Sequence, residues 1–297
     1  MRGGNIKKER QRDKQRKQFL RIVKSALRED IGRGDITTDA IVSEDDRALG
    51  IIFAKEDGVL CGVDIAEMVF THLDQDIDFQ KQLEDGSALS PGVTIAIVIG
   101  KASTCLKGER TALNFLQRLS GIATMTRQFV DATKGNIKLL DTRKTAPGLR
   151  VMEKYAVRVG GGINHRLGLY DMIMIKDNHI QIAGSITEAV NRVRKRKRKS
   201  FIEVEVKTMS ELREAIEAGV DRIMLDNMSQ NLIVQAVQLI HNTGRGTQIE
   251  LSGGIALDNI RDVAESGADY VSVGALTHSA KALDIALKMK PLAPREI

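Results

Sequence analysis

The sequence predicts a two-domain α/β protein, with a small N-terminal α/β domain on an antiparallel sheet and a larger domain of parallel strands rolled toward a barrel. Three observations carry this expectation. The chain has 297 residues, enough for about two domains. In its second half, short β-like runs alternate with helical segments, the pattern of βαβ units and a parallel sheet. Each of those runs ends in charged, polar or glycine residues, which in a parallel barrel would all meet at one face.

Composition is consistent with this class. Apolar residues make up 42% of the chain, enough for a sizeable core, while aromatics make up 3% and Trp is missing, so aliphatic packing dominates. The net charge of +6 comes from two short segments, residues 1–24 and the run RVRKRKRK at 192–199; the rest of the chain is net acidic. The basic balance is therefore no argument for a nucleic-acid binder, and the run has no interleaved aromatics. Two cysteines, Cys61 and Cys105, make no disulfide framework, so a reduced, cytoplasmic compartment is expected. No apolar stretch approaches 18 residues, so no membrane span is expected. The charged N-terminus lacks the apolar core of an export signal.

The elements follow in order. Residues 1–18 are polar and basic and read as disordered or as a frayed helix. A short helix is expected at 19–29, then a turn at Gly32-Arg33-Gly34-Asp35. Strand-like segments at 48–54, 77–83 and 93–99 flank a helix at 64–73. From Glu109 to about Lys134, Ala112, Phe115, Leu116, Leu119, Ile122 and Ala123 recur at spacings of three and four, giving one apolar face of a long helix. The rhythmic half places strands at 137–140, 172–175, 201–206, 222–225, 248–251 and 270–273. Six strands fall short of the eight of a closed barrel; an incomplete barrel and two strands without a sequence signal both remain open.

The strand ends divide into two chemical groups. Arg143, Lys144, His165, Arg166 and Lys176, with Arg110 from the long helix, form a cationic set suited to a substrate with more than one anionic group. Arginine suits a carboxylate best, because its planar fork gives two parallel hydrogen bonds. Opposite them, Glu205 and Asp226 form a carboxylate pair of the kind that holds Mg²⁺ beside a phosphate-rich ligand. Ser252, Gly253, Gly254 and Gly274 follow the last two strands and precede helices, where backbone N–H groups can cradle phosphate. Alone, each signal has a bland reading: a glycine pair is more often a tight turn, and His165 with Arg166 could be a surface turn.

The segments GRGDITTDAIV, ERTALNFLQRLSGIAT, DTRKTAPGLR, KYAVRVGGGINHRLGLYDMIMIKDNHI, IEVEVKT, DRIMLDNMS, IELSGGI and GADYVSVGALTHS give the chain its closest likeness. In that order and spacing the chain resembles the quinolinate phosphoribosyltransferases, from about Phe19 to its last element. The resemblance implies an N-terminal α/β sandwich at 19–115 and an incomplete, type II phosphoribosyltransferase-like α/β barrel at 116–280. It also implies a C-terminal helix at 281–297 packing back on the first domain. It implies transfer of a phosphoribosyl group from phosphoribosyl pyrophosphate to quinolinate with loss of CO₂, and Mg²⁺ as cofactor. It further implies a homodimer whose sites borrow Arg110 from the partner chain. On that likeness Arg110, Arg143, His165, Arg166 and Lys176 bind quinolinate. Lys144, Glu205 and Asp226 meet phosphoribosyl pyrophosphate and the metal, with Lys144, Lys176, Glu205 and Asp226 as the catalytic set. Ser252, Gly253, Gly254 and Gly274 hold phosphate.

Two rivals stand beside this reading. One is a molybdenum-transport-associated transferase of the same fold acting on another aromatic acid, against which the intact cation set argues. The other is an RNA-binding module, for which the basic run is the sole support. Lys176 as a Schiff-base lysine is disfavoured by Asp177 and the neighbouring cations.

Overall fold

Phe19, Val23 and Leu27 recur every fourth residue and are all buried, which gives the first helix, α1 (Arg2–Ile31), its packed face. The computed structural model describes residues 2–293. Where residues 1–18 were expected to be disordered or frayed, residues 2–18 continue this helix; Met1 lies outside the described residues. The stretch lacks an apolar period, but it is rich in Arg, Lys, Gln and Glu, all good helix formers.

In chain order there follow α2 (Ile36–Ile41), β1 (Arg47–Ala54), β2 (Gly58–Val59), α3 (Val63–Leu73), β3 (Asp78–Lys81), β4 (Ala88–Leu89), β5 (Thr94–Lys101) and α4 (Ala102–Thr133). Asp35 starts α2 by accepting the N–H groups of Thr37 and Thr38. The long helix α4 begins earlier than its apolar period indicated, but all six residues of that face are buried. Then come β6 (Lys138–Leu140), α5 (Arg150–Val159), β7 (Ile173–Ile175), α6 (Asp177–Ala183), α7 (Ile186–Arg196), β8 (Ile202–Val206), α8 (Met209–Ala218), β9 (Arg222–Asp226), α9 (Gln230–His241), β10 (Gln248–Ser252), α10 (Ile260–Ala264), β11 (Tyr270–Ser272), α11 (Ala275–His278) and β12 (Ile285–Leu292).

The chain divides into two units. The first takes in residues up to Met125, Ala146–Gly160 and the chain from Ala280 onward. Its antiparallel sheet has the order β12-β1-β5-β3. Residues of β1 alternate strictly between half-buried and buried, as a sheet with one covered face requires. The C-terminal segment, expected to be a helix over 281–297, is the edge strand β12, paired with β1 from Arg47↔Leu292 to Ala54↔Ile285. The reason is visible in IALKMKPL, where Leu287 and Met289 alternate with Lys288 and Lys290, a period of two; residues 294–297 lie outside the described residues. The expected boundary at 115/116 falls inside the unbroken α4, and the division comes at Met125/Thr126. The excursion carrying α5 also belongs to the first unit. There α5 buries Met152, Ala156 and Val157, and its buried Glu153 takes a two-nitrogen contact from Arg118, at 3.1 Å and 2.8 Å.

The second unit, Thr126–Thr145 and Gly161–Ser279, is built on a six-stranded sheet of order β6-β11-β10-β9-β8-β7, parallel throughout. Among the described residues no ladder joins β6 to β7, so the barrel is incomplete; Ile163 adds a single parallel bridge beside Leu140. Apolar residues of the strands, among them Val204, Val206, Ile223, Leu225, Ile249, Leu251 and Val271, are buried at alternate positions. The intervening positions are largely polar and define the site.

Candidate active site

Side chains alternate along a strand, so residues two apart share a face. Glu203 and Glu205 on β8, Arg222, Met224 and Asp226 on β9, Glu250 and Ser252 on β10, and Ser272 on β11 share one face. The ladders bring them together: Glu203 pairs with Arg222 and Glu205 with Met224, while Ser252 pairs with Asp226 and Ser272. At the C-terminal ends of these strands lies a cavity of about 830 Å³.

Arg143, Lys144, His165, Arg166, Lys176, Glu205, Asp226, Ser252, Gly253, Gly254 and Gly274 all line it. Arg110 does not. It is an exposed residue of α4, in the first unit.

The cationic wall is assembled by the loops after β6 and before and after β7. Asp141, fully buried, follows β6. Its carboxylate accepts the His165 N–H at 2.8 Å and the Asn164 amide at 2.6 Å, so it pins the loop that carries Arg166. Burial, and then the nearby Arg143 guanidinium, lower the Arg166 pKa. Two guanidinium groups that line one cavity gain from an anion between them. The Lys144 carbonyl accepts the Thr277 hydroxyl at 2.8 Å, which ties its loop to α11.

His165 Nε2 lies 3.1 Å from Glu203 Oε2 and 3.5 Å from Glu250 Oε2. Burial works against a charge on this ring, but the hydrogen bonds to Glu203 and Glu250 outweigh it and raise its pKa to about 9. The Arg166 amide points at Nδ1 from 2.8 Å, a contact only the neutral ring accepts; the two carboxylates are the stronger influence, and the direction is upward.

On the other wall, Glu205 has a basic partner: Lys176 Nζ donates to Glu205 Oε2 at 2.5 Å. Lys176 sits at the start of α6, and its side chain crosses from the end of β7 to the neighbouring strand. Asp226 has no hydrogen bond or ion pair to its side chain among the described residues. A partnerless carboxylate beside a second one is a donor set that fits Mg²⁺, which takes one or two carboxylates plus ligand oxygens and water. At the rim, Lys207 pairs with Asp177 at 2.9 Å.

Backbone geometry shapes the far end. Gly253 has φ +96°, and a Cβ there would lie 2.2 Å from Asn227 Oδ1. Asn227 is itself left-handed at φ +53°, a conformation asparagine tolerates better than most residues, and its N–H donates to the Ser252 carbonyl at 2.8 Å. A Cβ at Gly274 would meet Lys144 Cδ at 2.9 Å. The glycine loop after β10 does not run directly into a helix, because α10 begins only at Ile260; Gly253 and Gly254, rather than a helix end, line the cavity there.

In the sequence Glu203 and Asn227 stand out at strand ends but carry no assigned role, and Arg222, Glu250 and His278 do not stand out. For the strand residues a signal existed: a period of two leads from Glu205 to Glu203, and from Asp226 through Met224 to Arg222. His278, beside Gly274 on α11, had none.

Two family models together span most of the chain. "Quinolinate phosphoribosyl transferase, N-terminal domain" matches residues 35–120 and the corresponding C-terminal domain matches 122–288. A Bacillus subtilis protein described as a probable nicotinate-nucleotide pyrophosphorylase [carboxylating] is 45% identical over 272 residues, covering 91% of this chain and 93% of the relative. The crystal structure of NadC from Streptococcus pyogenes is 47% identical with a TM-score of 0.87, covering 91% of this chain and 96% of that one. The nicotinate-nucleotide pyrophosphorylase of Francisella tularensis is 40% identical with a TM-score of 0.87, covering 92% and 96%.

Proposed function

The chain belongs to the quinolinate phosphoribosyltransferase family, and from that premise we propose how its cavity carries out the family's reaction. The enzyme transfers the phosphoribosyl group of phosphoribosyl pyrophosphate to quinolinate, forming nicotinate mononucleotide, pyrophosphate and CO₂ for NAD biosynthesis. The observation that carries the assignment of roles is the division of one cavity into a cationic wall and an anionic wall with glycine amides at its end.

Quinolinate has two carboxylates on adjacent ring carbons. Arg143 and Arg166, already close to each other, bind them, with Lys176 and the His165 loop completing the wall. Glu205 and Asp226 take the ribose and metal side, and Lys144 meets the phosphates. Ser252, Gly253, Gly254 and Gly274 hold the ribose phosphate through backbone N–H groups. Glu205 and Asp226 would hold Mg²⁺, which would supply positive charge for the leaving pyrophosphate. The ribosyl carbon becomes cationic as the leaving bond stretches, and Glu205 and Asp226 stabilise it from the anionic wall. Once ribosylated, the ring nitrogen is positive, and its charge stabilises the carbanion left on the adjacent carbon when that carboxylate departs as CO₂; a proton from solvent then takes the carboxylate's place. No covalent nucleophile is needed; the residues act by positioning and charge.

Arg110 enters this reading through a second copy of the chain. Its exposure on α4 and absence from the cavity of its own second unit fit a homodimer in which it completes the partner's quinolinate site. The enzyme is read as cytoplasmic: both cysteines are free and buried, and among the described residues no helix is long and apolar enough to cross a membrane.

The direct test is incubation with quinolinate, phosphoribosyl pyrophosphate and Mg²⁺, following nicotinate mononucleotide and CO₂. Turnover of quinolinate but not of nicotinate is expected, because nicotinate leaves part of the cation set unpaired. Turnover of nicotinate at a comparable rate would refute the assigned roles.

A further inference from the structure

Beneath the cavity lies a polar floor that the roles above leave unused. Glu203 and Glu250 side chains are 0% exposed and Arg222 is 12% exposed, on three consecutive strands of the sheet. Arg222 is clamped from every side. Gln248 Oε1 accepts from its Nε at 3.1 Å and Nη2 at 2.8 Å, and its plane lies 4.3 Å from the Tyr270 ring centroid. Its Nη1 reaches Glu250 at 3.0 Å and Glu203 at 3.6 Å.

Two buried carboxylates against one guanidinium leave a negative charge in surplus, which is costly away from water unless another donor meets it. That donor is His165 Nε2. Its Nδ1 faces the amide of the next residue, Arg166, and the His165 side chain is 7% exposed. His165 lines the cavity, but each of its ring nitrogens already faces a partner within the protein. His165, Glu203 and Glu250 also stand within 4.8 Å of one another, a spacing a metal ion could use. Arg222 already lies against both carboxylates, which makes a hydrogen-bonded support the better reading.

We propose that His165 is a positioning residue: the Glu203–Glu250–Arg222 cluster holds its ring, and that anchor, together with Asp141 on the His165 N–H, fixes the loop that carries the Arg166 guanidinium into the cavity beside Arg143. The inference rests on the quinolinate reading and departs from the family-derived expectation that His165 itself binds quinolinate. The specificity for two carboxylates then depends on a fully buried acid pair that acts through the His165 ring.

The test uses the full-length enzyme with phthalate as an unreactive dicarboxylate probe. Histidine and arginine are labelled with ¹⁵N, and the His165 ring and Arg166 guanidinium signals are assigned by their loss in His165→Asn and Arg166→Lys. Saturating phthalate should leave the Nε2 and Nδ1 signals of His165 in place while the Arg166 guanidinium signals move. Displacement of the Nε2 signal would mean that the ring leaves Glu203 for the ligand, and would overturn the proposal. Kinetics supply the second arm. Glu203→Gln removes charge from the support and should raise the KM for quinolinate about tenfold, with the KM for phosphoribosyl pyrophosphate and kcat changed far less. A lower kcat with both KM values unchanged would show a purely structural role and overturn it too. Wild-type enzyme that neither binds phthalate nor consumes quinolinate would instead sink the functional reading beneath it.

Discussion

The two sheets of this protein use the same alternation of side chains for opposite ends. In the antiparallel sheet of the first unit, the buried positions of β1 are Ala48, Gly50, Ile52 and Ala54, small or apolar throughout. Their partners on β5 are equally plain: Gly100, Val98 and Ala96 face Ala48, Gly50 and Ile52. In the parallel sheet of the second unit, one face is apolar and the other carries Glu203, Glu205, Arg222, Asp226 and Glu250. A barrel interior is ordinarily filled by bulky branched residues; here charge takes that place, and of these five residues all but Asp226 are paired among the described residues. The first arrangement contributes stability through burial. The second gives some of that up for a preorganised set of charges near the reacting atoms. Changes to the first sheet should therefore read out in stability, and changes to the second in kinetics.

The largest expected effect lies in the second sheet and tests the shared site as well. Lys176→Ala and Arg110→Ala should each leave homodimers nearly inactive. Mixed and allowed to exchange subunits, they should recover activity, because a heterodimer has one site with both defects and one with neither. With free exchange half the dimers are mixed, so about a quarter of wild-type activity should return. No recovery despite demonstrated exchange would place Arg110 in its own chain's site or outside any site.

Asp226→Ala comes next. The variant should lose its response to Mg²⁺ and show a raised KM for phosphoribosyl pyrophosphate, while phthalate still binds the cationic wall. Full activity across a Mg²⁺ titration would remove Asp226 from the metal site and leave Glu205, already paired with Lys176, as a poor sole ligand.

The contrasting experiment is in the first sheet. Ile52 is fully buried at the centre of β1. Ile52→Ala should cost about 2–5 kcal/mol in denaturant unfolding, with KM values for both substrates unchanged in the folded fraction. A selective KM change would break the division between a stability sheet and a chemistry sheet.

That division also explains which parts were legible in the sequence. The apolar face of α4 and the six parallel strands announced themselves through periodicity, and the cationic and anionic site residues through their place at strand ends. The roles of Glu203 and Arg222 were harder to see because these residues lie one and two same-face positions below Glu205 and Asp226, where a barrel is expected to be apolar. The strand β12 was misassigned because the resemblance outweighed the local alternation of Leu287, Lys288, Met289 and Lys290. The helix over residues 2–18 could not be told from disorder for the opposite reason: only propensity supports it, and propensity alone is a weak signal. No sequence pattern could show that Lys176 reaches Glu205, since that contact depends on the β7–β8 register.

The smallest effect should come from the basic run at 192–199, which belongs to neither sheet. It closes α7 and precedes β8, so within the second unit it lies at the N-terminal ends of the strands, opposite the cavity. Arg192 pairs with Glu188 at 2.7 Å, and Arg194 donates to the Gly219 carbonyl at 2.8 Å, so both have local structural work. Lys195, Lys197, Arg198 and Lys199 are exposed, and among the described residues none has an ion pair. Replacing these four with Gln should shift unfolding by no more than about 0.5 kcal/mol, in whichever direction the relief of like-charge repulsion and the lost side-chain packing balance. Retention on heparin should fall, because fewer cations face the polyanion. Both KM values should stay where they are, since at 0.15 M salt fields from exposed charges fade over about 8 Å. A large rise in either KM would mean that the run steers an anionic substrate to a cavity on the far side of the sheet, and charge placed outside the site would then have to be counted as part of it.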